Sequence, residues 1–353
     1  MLAASAASAR GQESWPSPEV EALYKSAQAS LSSGNFKQAI ASYQQAIALA
    51  PDKAILYRDL ANAYLLSGSY SRAEQIITPI IDKGGADAQS YALASAIQSA
   101  LKEDKKARRL LDRGLEQYPN SGFLFHEKGK FYEEQGEQQE ALKTWLAGIS
   151  ADPGYHINYY EAARTYMQTS KPVWTIIYGE IFINLERYTP RSGETRKMLL
   201  AAYKRFYATP DAEDVPSFGK SALSAAPSNF EQAVTQTLLR LAPVVADGIS
   251  AENLTMLRTR FSMEWVAKYA ARYPFTLFSH WDDLLRAGHF DACNQWVFGR
   301  AENQAQYDAW IKFHPEALPA YEQYYARNPL RPTAADAYND GVLKGIFLKT
   351  QKR

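Results

Sequence analysis

From Val20 to Tyr155 the chain repeats itself every 34 residues, in four units laid end to end without gaps. Ala39, Ala73, Ala107 and Ala141 mark the register. Pro51, Pro119 and Pro153 stand in the last turn of their units, with Gly85 in that place in the second, and Gly34, Gly68 and Gly136 fill the turn in mid-unit. A fixed period of this length predicts stacked helix–turn–helix units. One such unit buries too little apolar surface to be stable, so each must lean on the next. The eighth, twentieth and twenty-seventh positions are small in most units: Ala27/Ala39/Ala46, Ala61/Ala73/Ile80, Ser95/Ala107/Gly114 and Gly129/Ala141/Gly148. Small side chains let two helix axes approach closely while larger neighbours interlock around them. Leu23 and Tyr43, Tyr57 and Ile77, Tyr91 and Leu111, and Phe125 and Trp145 supply those neighbours.

This pattern resembles the tetratricopeptide-repeat (TPR) family. The resemblance implies an all-α fold, a helix–turn–helix repeat superhelix. Two departures carry expectations. Pro79, beside the bulky Ile80, predicts a kink or an early end to the second helix of unit two, since proline removes a donor and clashes with the preceding turn. Lys102 and Asp104 stand where the other units have a turn glycine and, in the first two, an aromatic, which predicts a more polar turn and looser packing.

The length, 353 residues, allows two ordinary domains or one long solenoid. With 39 basic and 38 acidic residues the net charge is +1, so no global field draws the chain to nucleic acid or a membrane surface. The 23 tyrosines and 7 tryptophans fit the inter-helix layers of a solenoid. Cys293 is the single cysteine, so no intrachain disulfide forms and no zinc-ligand spacing arises. Residues 1–19 read as a signal-peptide remnant or a disordered lead. Met1 to Gly11 is rich in alanine and serine and resembles the end of a secretory signal, with Ala7-Ser8-Ala9 near the cleavage point, though its basic start and apolar core are missing. A periplasmic or secreted location is the expectation, and a cytoplasmic one the alternative. No run of about 18 apolar residues predicts a membrane-spanning helix.

Ser17, Pro18 and Glu19 open the first helix as cap, first-turn proline and acidic residue near the positive helix end. The repeats occupy 20–155, and 156–210 reads as a degenerate fifth unit: Tyr159, Ala163 and Tyr166 keep the register, and Val173 to Leu185 is apolar on all faces, hence a buried helix. Glu194 to Ala208 is amphipathic, and Pro216, Gly219 and Pro227 mark a boundary. Ser228 and Glu231 form a capping-box pair opening a further all-helical region, 211–328, punctuated by Pro274, Gly288, Gly299, Pro315 and Pro319. The tail, 329–353, is expected to fray. The runs Trp174–Arg187 (WTIIYGEIFINLER) and His289–Gly299 (HFDACNQWVFG) resemble uncharacterised TPR proteins of Bacteroidota, which commonly carry export signals. That resemblance implies location and architecture, not activity.

No catalytic constellation emerges. Gly219-Lys220-Ser221 ends like a phosphate loop, but Asp214 stands where its first glycine belongs and no strand precedes it. His126-Glu127 lacks the second histidine of a zinc-protease helix, since position 130 is Lys130. His280, Asp283, His289 and Asp291 read as surface or capping groups rather than a metal site. Adjacent carboxylates such as Asp282-Asp283 point apart on a helix and read as solvated. No enzyme activity and no cofactor are expected.

In the TPR family, positions two, five, nine and twelve of the first helix line the inner groove. Here they include Tyr24, Arg58, Asn62, Phe123, His126, Lys130, Tyr160 and Arg164, with no basic or amide group from unit three but Gln89. The family's clamp for a peptide's C-terminal carboxylate is incomplete: Arg58 and Asn62 match, but Leu93, Phe123 and Glu127 stand where an asparagine and two basic residues belong. A groove of basic, amide and aromatic groups suits a peptide with some acidic character. The first expectation is a non-enzymatic scaffold that binds a protein or peptide through this groove or through the C-terminal helical surface. The alternative is a structural or assembly factor of the bacterial envelope. A third reading, a carbohydrate-binding or enzymatic C-terminal region, requires an exposed line of Trp281, Trp296 and Trp310.

Overall fold

The computed structural model describes residues 15–84, 86–208, 226–339 and 341. The signal-like lead, Gly85, the loop-like Gly219-Lys220-Ser221 and most of the proline-marked boundary lie outside them. The described residues are helical throughout and contain no strand. Two compact units divide after Pro119.

The first unit holds three helix pairs: α1 (Pro18–Ser32) with α2 (Phe36–Leu49), α3 (Ala54–Leu66) with α4 (Tyr70–Asp82), and α5 (Ala88–Ala100) with α6 (Asp104–Gln117). Ser17 caps α1 by accepting from the Val20 amide, Asn35 caps α2 and Asp87 caps α5, each satisfying an orphan first-turn donor. Ala27, Ala39, Ala46, Ala61, Ala73 and Ala107 are wholly buried at the helix crossings, as the register requires. Pro79 does not end its helix. α4 runs through it to Asp82. The glycine turns adopt φ near +77°, and in the third unit Lys102 takes the same left-handed conformation, φ 64°, without a glycine's freedom.

The second unit opens with α7 (Gly122–Glu134) and α8 (Gln138–Ala151), followed by α9 (His156–Tyr166), α10 (Pro172–Leu185) and α11 (Pro190–Tyr207). Gly129 is obligatory here, since a Cβ in its place would lie 2.1 Å from the Trp145 indole nitrogen. α10 is buried along twelve of its residues from Val173 to Asn184, as its all-round apolarity predicts. α11 starts earlier than the amphipathic pattern, at Pro190, because Thr189 and Ser192 form a capping box there.

Beyond the undescribed segment come α12 (Phe230–Arg240), α13 (Ala251–Lys268) and α14 (Thr276–Arg286). The cap of α12 is Asn229, not Ser228, with its side chain accepting from the Gln232 amide. α15 (Phe290–Asn294) passes through a π-helical turn, Gln295–Gly299, and closes at Arg300–Glu302, so Gly299 does not separate two helices. α16 (Gln304–Phe313) and α17 (Ala317–Arg327) follow, the latter with Pro319 in its first turn.

One apolar core joins Leu142, Leu146 and Ile149 of α8 to Trp174, Phe230, Trp265 and Phe298. The divisions read from the sequence at 155 and 210 therefore do not separate cores. The fourth repeat closes its apolar face against elements far along the chain, which is why the compact units part after the third repeat. The expected fraying of the tail is also corrected, as far as Tyr338. Leu330 is buried, Asp336 accepts from the Thr276 amide and hydroxyl, and the Tyr338 ring stacks on Phe230 at 4.1 Å. At the centre of this unit Arg258 and Glu180 are both buried and ion-paired, with Asn294 accepting from the same guanidinium. No sequence pattern announces that pair.

Candidate functional site

The eight groove candidates fall into two sets, one in each compact unit. In the first unit, Arg58 and Asn62 sit a turn apart on α3, both half-buried. Arg58 is committed within the chain: it pairs with Asp59 at 3.0 Å and with Asp87. Burial would lower its pKa, but the two carboxylates raise it, so the charge is fixed and compensated. Tyr24 is not a groove contact. Trp15 covers its ring at 4.5 Å, Tyr43 packs edge-on, and its hydroxyl donates to Asp59. As the start of the array, α1 lends that tyrosine to packing against α3.

In the second unit the remaining candidates converge. α7 contributes Phe123, His126 and Lys130, and α9 contributes Tyr160 and Arg164, all half-buried. Three carboxylates interleave with them. His126 lies 3.1 Å from Glu127 on its own helix and 3.7 Å from Glu161 on α9. Arg164 reaches Glu161 at 2.7 Å and, across to α7, Glu133 at 2.6 Å. Lys130 approaches Glu127 at 3.4 Å. Burial opposes the charge on His126, yet its bonds to Glu127 and Glu161 win and raise its pKa above the ordinary imidazole value. Burial likewise raises Glu127 and Glu161, but His126, with Lys130 and Arg164 respectively, holds both carboxyls below the usual range.

This network corrects the expected basic character of the groove. His126, Lys130 and Arg164 are each paired with an acid, so no excess cation is on offer. The acids were legible in the same register. Asp59, Glu127 and Glu161 all occupy the sixth position of their units, with Leu93 in the third, so wherever the family position five or nine is basic, position six supplies its counter-ion. Two half-buried aromatics frame the lattice: Phe123 in the first turn of α7, and Tyr160, whose ring packs on Phe182 at 5.1 Å.

The line of tryptophans required by the sugar-binding reading does not form: Trp281 and Trp296 are buried in the core. His280 is also buried, and among the described residues no group of three or more His, Cys, Asp or Glu side chains could hold a metal ion. No helix among them is long and apolar enough to cross a membrane.

The tetratricopeptide-repeat family profile matches residues 30–97. Those residues carry tetratricopeptide repeats. Over 124 residues, 34% of this chain, the sequence is 27% identical to human Protein O-mannosyl-transferase TMTC1, of which the match spans only 14%. Similar solved structures include the TPR protein YrrB, 20% identical, covering 50% of this chain and 90% of that one with a TM-score of 0.34. A TPR protein from Parabacteroides merdae is 11% identical, covers 75% of this chain and 97% of that one, and has a TM-score of 0.38. These likenesses are partial.

Proposed function

We propose that this TPR protein is a non-enzymatic scaffold, and that the face shared by α7 and α9 binds a protein or peptide segment. The observation that carries the reading is the cross-helix lattice of His126, Glu127, Lys130, Glu133, Glu161 and Arg164 between Phe123 and Tyr160. Its side chains are held by one another before a partner arrives, so less rotamer freedom is lost on binding. Donors and acceptors alternate, which suits the backbone and mixed polar side chains of an extended segment, while the two rings supply apolar anchors. The charge balance removes the preference for an acidic ligand on this face.

The test is capture by the full-length protein and by a Lys130→Glu/Arg164→Glu double variant. Reversing both charges leaves half-buried Glu127, Glu133 and Glu161 without their cations, so stability should fall by more than about 1 kcal/mol, and the variant is first shown to be folded by circular dichroism. The variant is expected to lose a partner that the parent and an Asn62→Ala variant both retain. Retention of that partner by the folded double variant would place binding elsewhere.

A further inference from the structure

In the second unit, Arg187 after α10, Arg196 on α11 and the π-helical turn bring two arginines onto one ring. The Arg187 guanidinium lies 4.0 Å from the Trp296 ring centre and 3.8 Å from that of Tyr325. The Arg196 guanidinium lies 4.2 Å from the same Trp296 ring. Arg187 is answered by Glu322, whose two carboxylate oxygens accept from Nη2 at 2.8 and 2.9 Å. Arg196 differs. It donates Nη2 to the Arg187 carbonyl at 2.9 Å, and its Nε has no acceptor. Among the described residues no carboxylate pairs with it. Burial, and then the neighbouring Arg187 charge, lower its pKa. The Trp296 indole N–H and the Arg187 Nε are likewise without an acceptor, so the cluster is rich in donors and short of anions. Arg300 adds a third, exposed cation at its edge, 5.5 Å from the Tyr307 ring, and both Arg196 and Arg300 act electrostatically on that phenol. Tyr188, 71% exposed, flanks Arg187 on the surface.

A purely structural strut would need one arginine and its glutamate. A second cation on the same ring adds like-charge repulsion and desolvation, offset within the chain only by one bond to the Arg187 carbonyl and the ring contact, with no carboxylate. The tryptophan is presented by a π-helical turn, a distortion that regular packing does not call for and that recurs at functional sites. We propose that Arg196 and Arg300, beside Arg187, form a second binding surface that takes the carboxylate side chains of an acidic peptide segment. Glu322 on Arg187 is the same contact made within the chain, and shows that the cluster accepts a carboxylate in this geometry. The guanidinium edge supplies paired donors to that group, and Tyr188 and Tyr307 offer rings to the flanking peptide.

The proposal is tested by calorimetric titration of the full-length protein with an acetylated, amidated peptide of alternating alanine and glutamate. Its glutamine counterpart and inorganic phosphate serve as separate probes. The glutamate peptide should bind, with the glutamine peptide weaker by about tenfold or more. Arg196→Gln and the exposed Arg300→Gln should each weaken the glutamate peptide by about fivefold or more, with circular dichroism and melting like the parent. Lys130→Glu/Arg164→Glu, which touches none of these residues, should leave this binding unchanged. No binding by the parent, undiminished binding by folded Arg300→Gln, or loss of binding in the α7–α9 double variant would each overturn the assignment. Phosphate binding as tightly as the peptide would make this a small-anion site and overturn the peptide reading.

Discussion

Lys102 shows how a single residue records a departure from the repeat. Its position is a glycine in the first, second and fourth units, and the left-handed backbone is kept without one, at φ 64°. A side chain in that region costs about 1–2 kcal/mol, less the unfolded-state entropy that glycine would add. Lys102→Gly should therefore stabilise the protein by roughly 0.5–1 kcal/mol, seen as a higher urea midpoint; an unchanged or lower midpoint would show that the backbone is not strained. His280 carries a pH prediction. Burial, and then the Arg187 charge, push its pKa down to about 4, so the folded chain keeps it neutral while the unfolded chain protonates below the ordinary imidazole value. Stability should fall as pH drops from about 6.5 to 4, with about 1–3 kcal/mol of that loss belonging to this one residue. Denaturant titrations of His280→Phe should show a shallower decline across the window, and an equal decline in both proteins would contradict the assignment. Residues such as Lys102 were legible because three sibling units gave a standard to compare with. Arg258, Glu180 and Arg196 had no sibling, and nothing in their spacing reveals that they are buried or what they face.

At the scale of the helix pair, the small-residue register does the packing. Ala141 is 1% exposed, in the same crossing as Gly129 and the Trp145 indole. Ala141→Leu should overpack that crossing and lower stability by about 1–3 kcal/mol, measured by thermal or urea unfolding; a variant that melts with the parent would mean the crossing has room that the geometry denies. The helices themselves were readable because period, caps and turn glycines agree at each level. Boundaries were less so: α11 begins at Pro190 because the Thr189 and Ser192 side chains satisfy its first amides, a local bond that outweighs the start of the amphipathic pattern. In the C-terminal half the pattern foretold helices but not partners. Phe230, Trp265 and Phe298 lie far apart in sequence and meet through contacts that no periodicity encodes.

For the whole molecule, the division after Pro119 follows from where apolar faces find cover. Helices α8, α9 and α10 share one core with the C-terminal helices, and Leu330 and Tyr338 pack into it. Candidates that the sequence places along one groove thus belong to two bodies, Tyr24, Arg58 and Asn62 in the first and the lattice of α7 and α9 in the second. The charge sign was misread for a physical reason. Inner-face positions were counted without the sixth residue of each unit, where the compensating acids stand. A protein or peptide bound at the α7–α9 face would contact Phe123 directly. The most direct measurement is site-specific photo-crosslinking, with a benzophenone amino acid in place of Phe123 on the face and, as control, in place of the exposed Phe313. A defined adduct is expected from position 123, absent from position 313 and lost when Lys130→Glu/Arg164→Glu is added. Adducts of equal yield from both positions, or one at 123 that survives the double substitution, would contradict binding at this face.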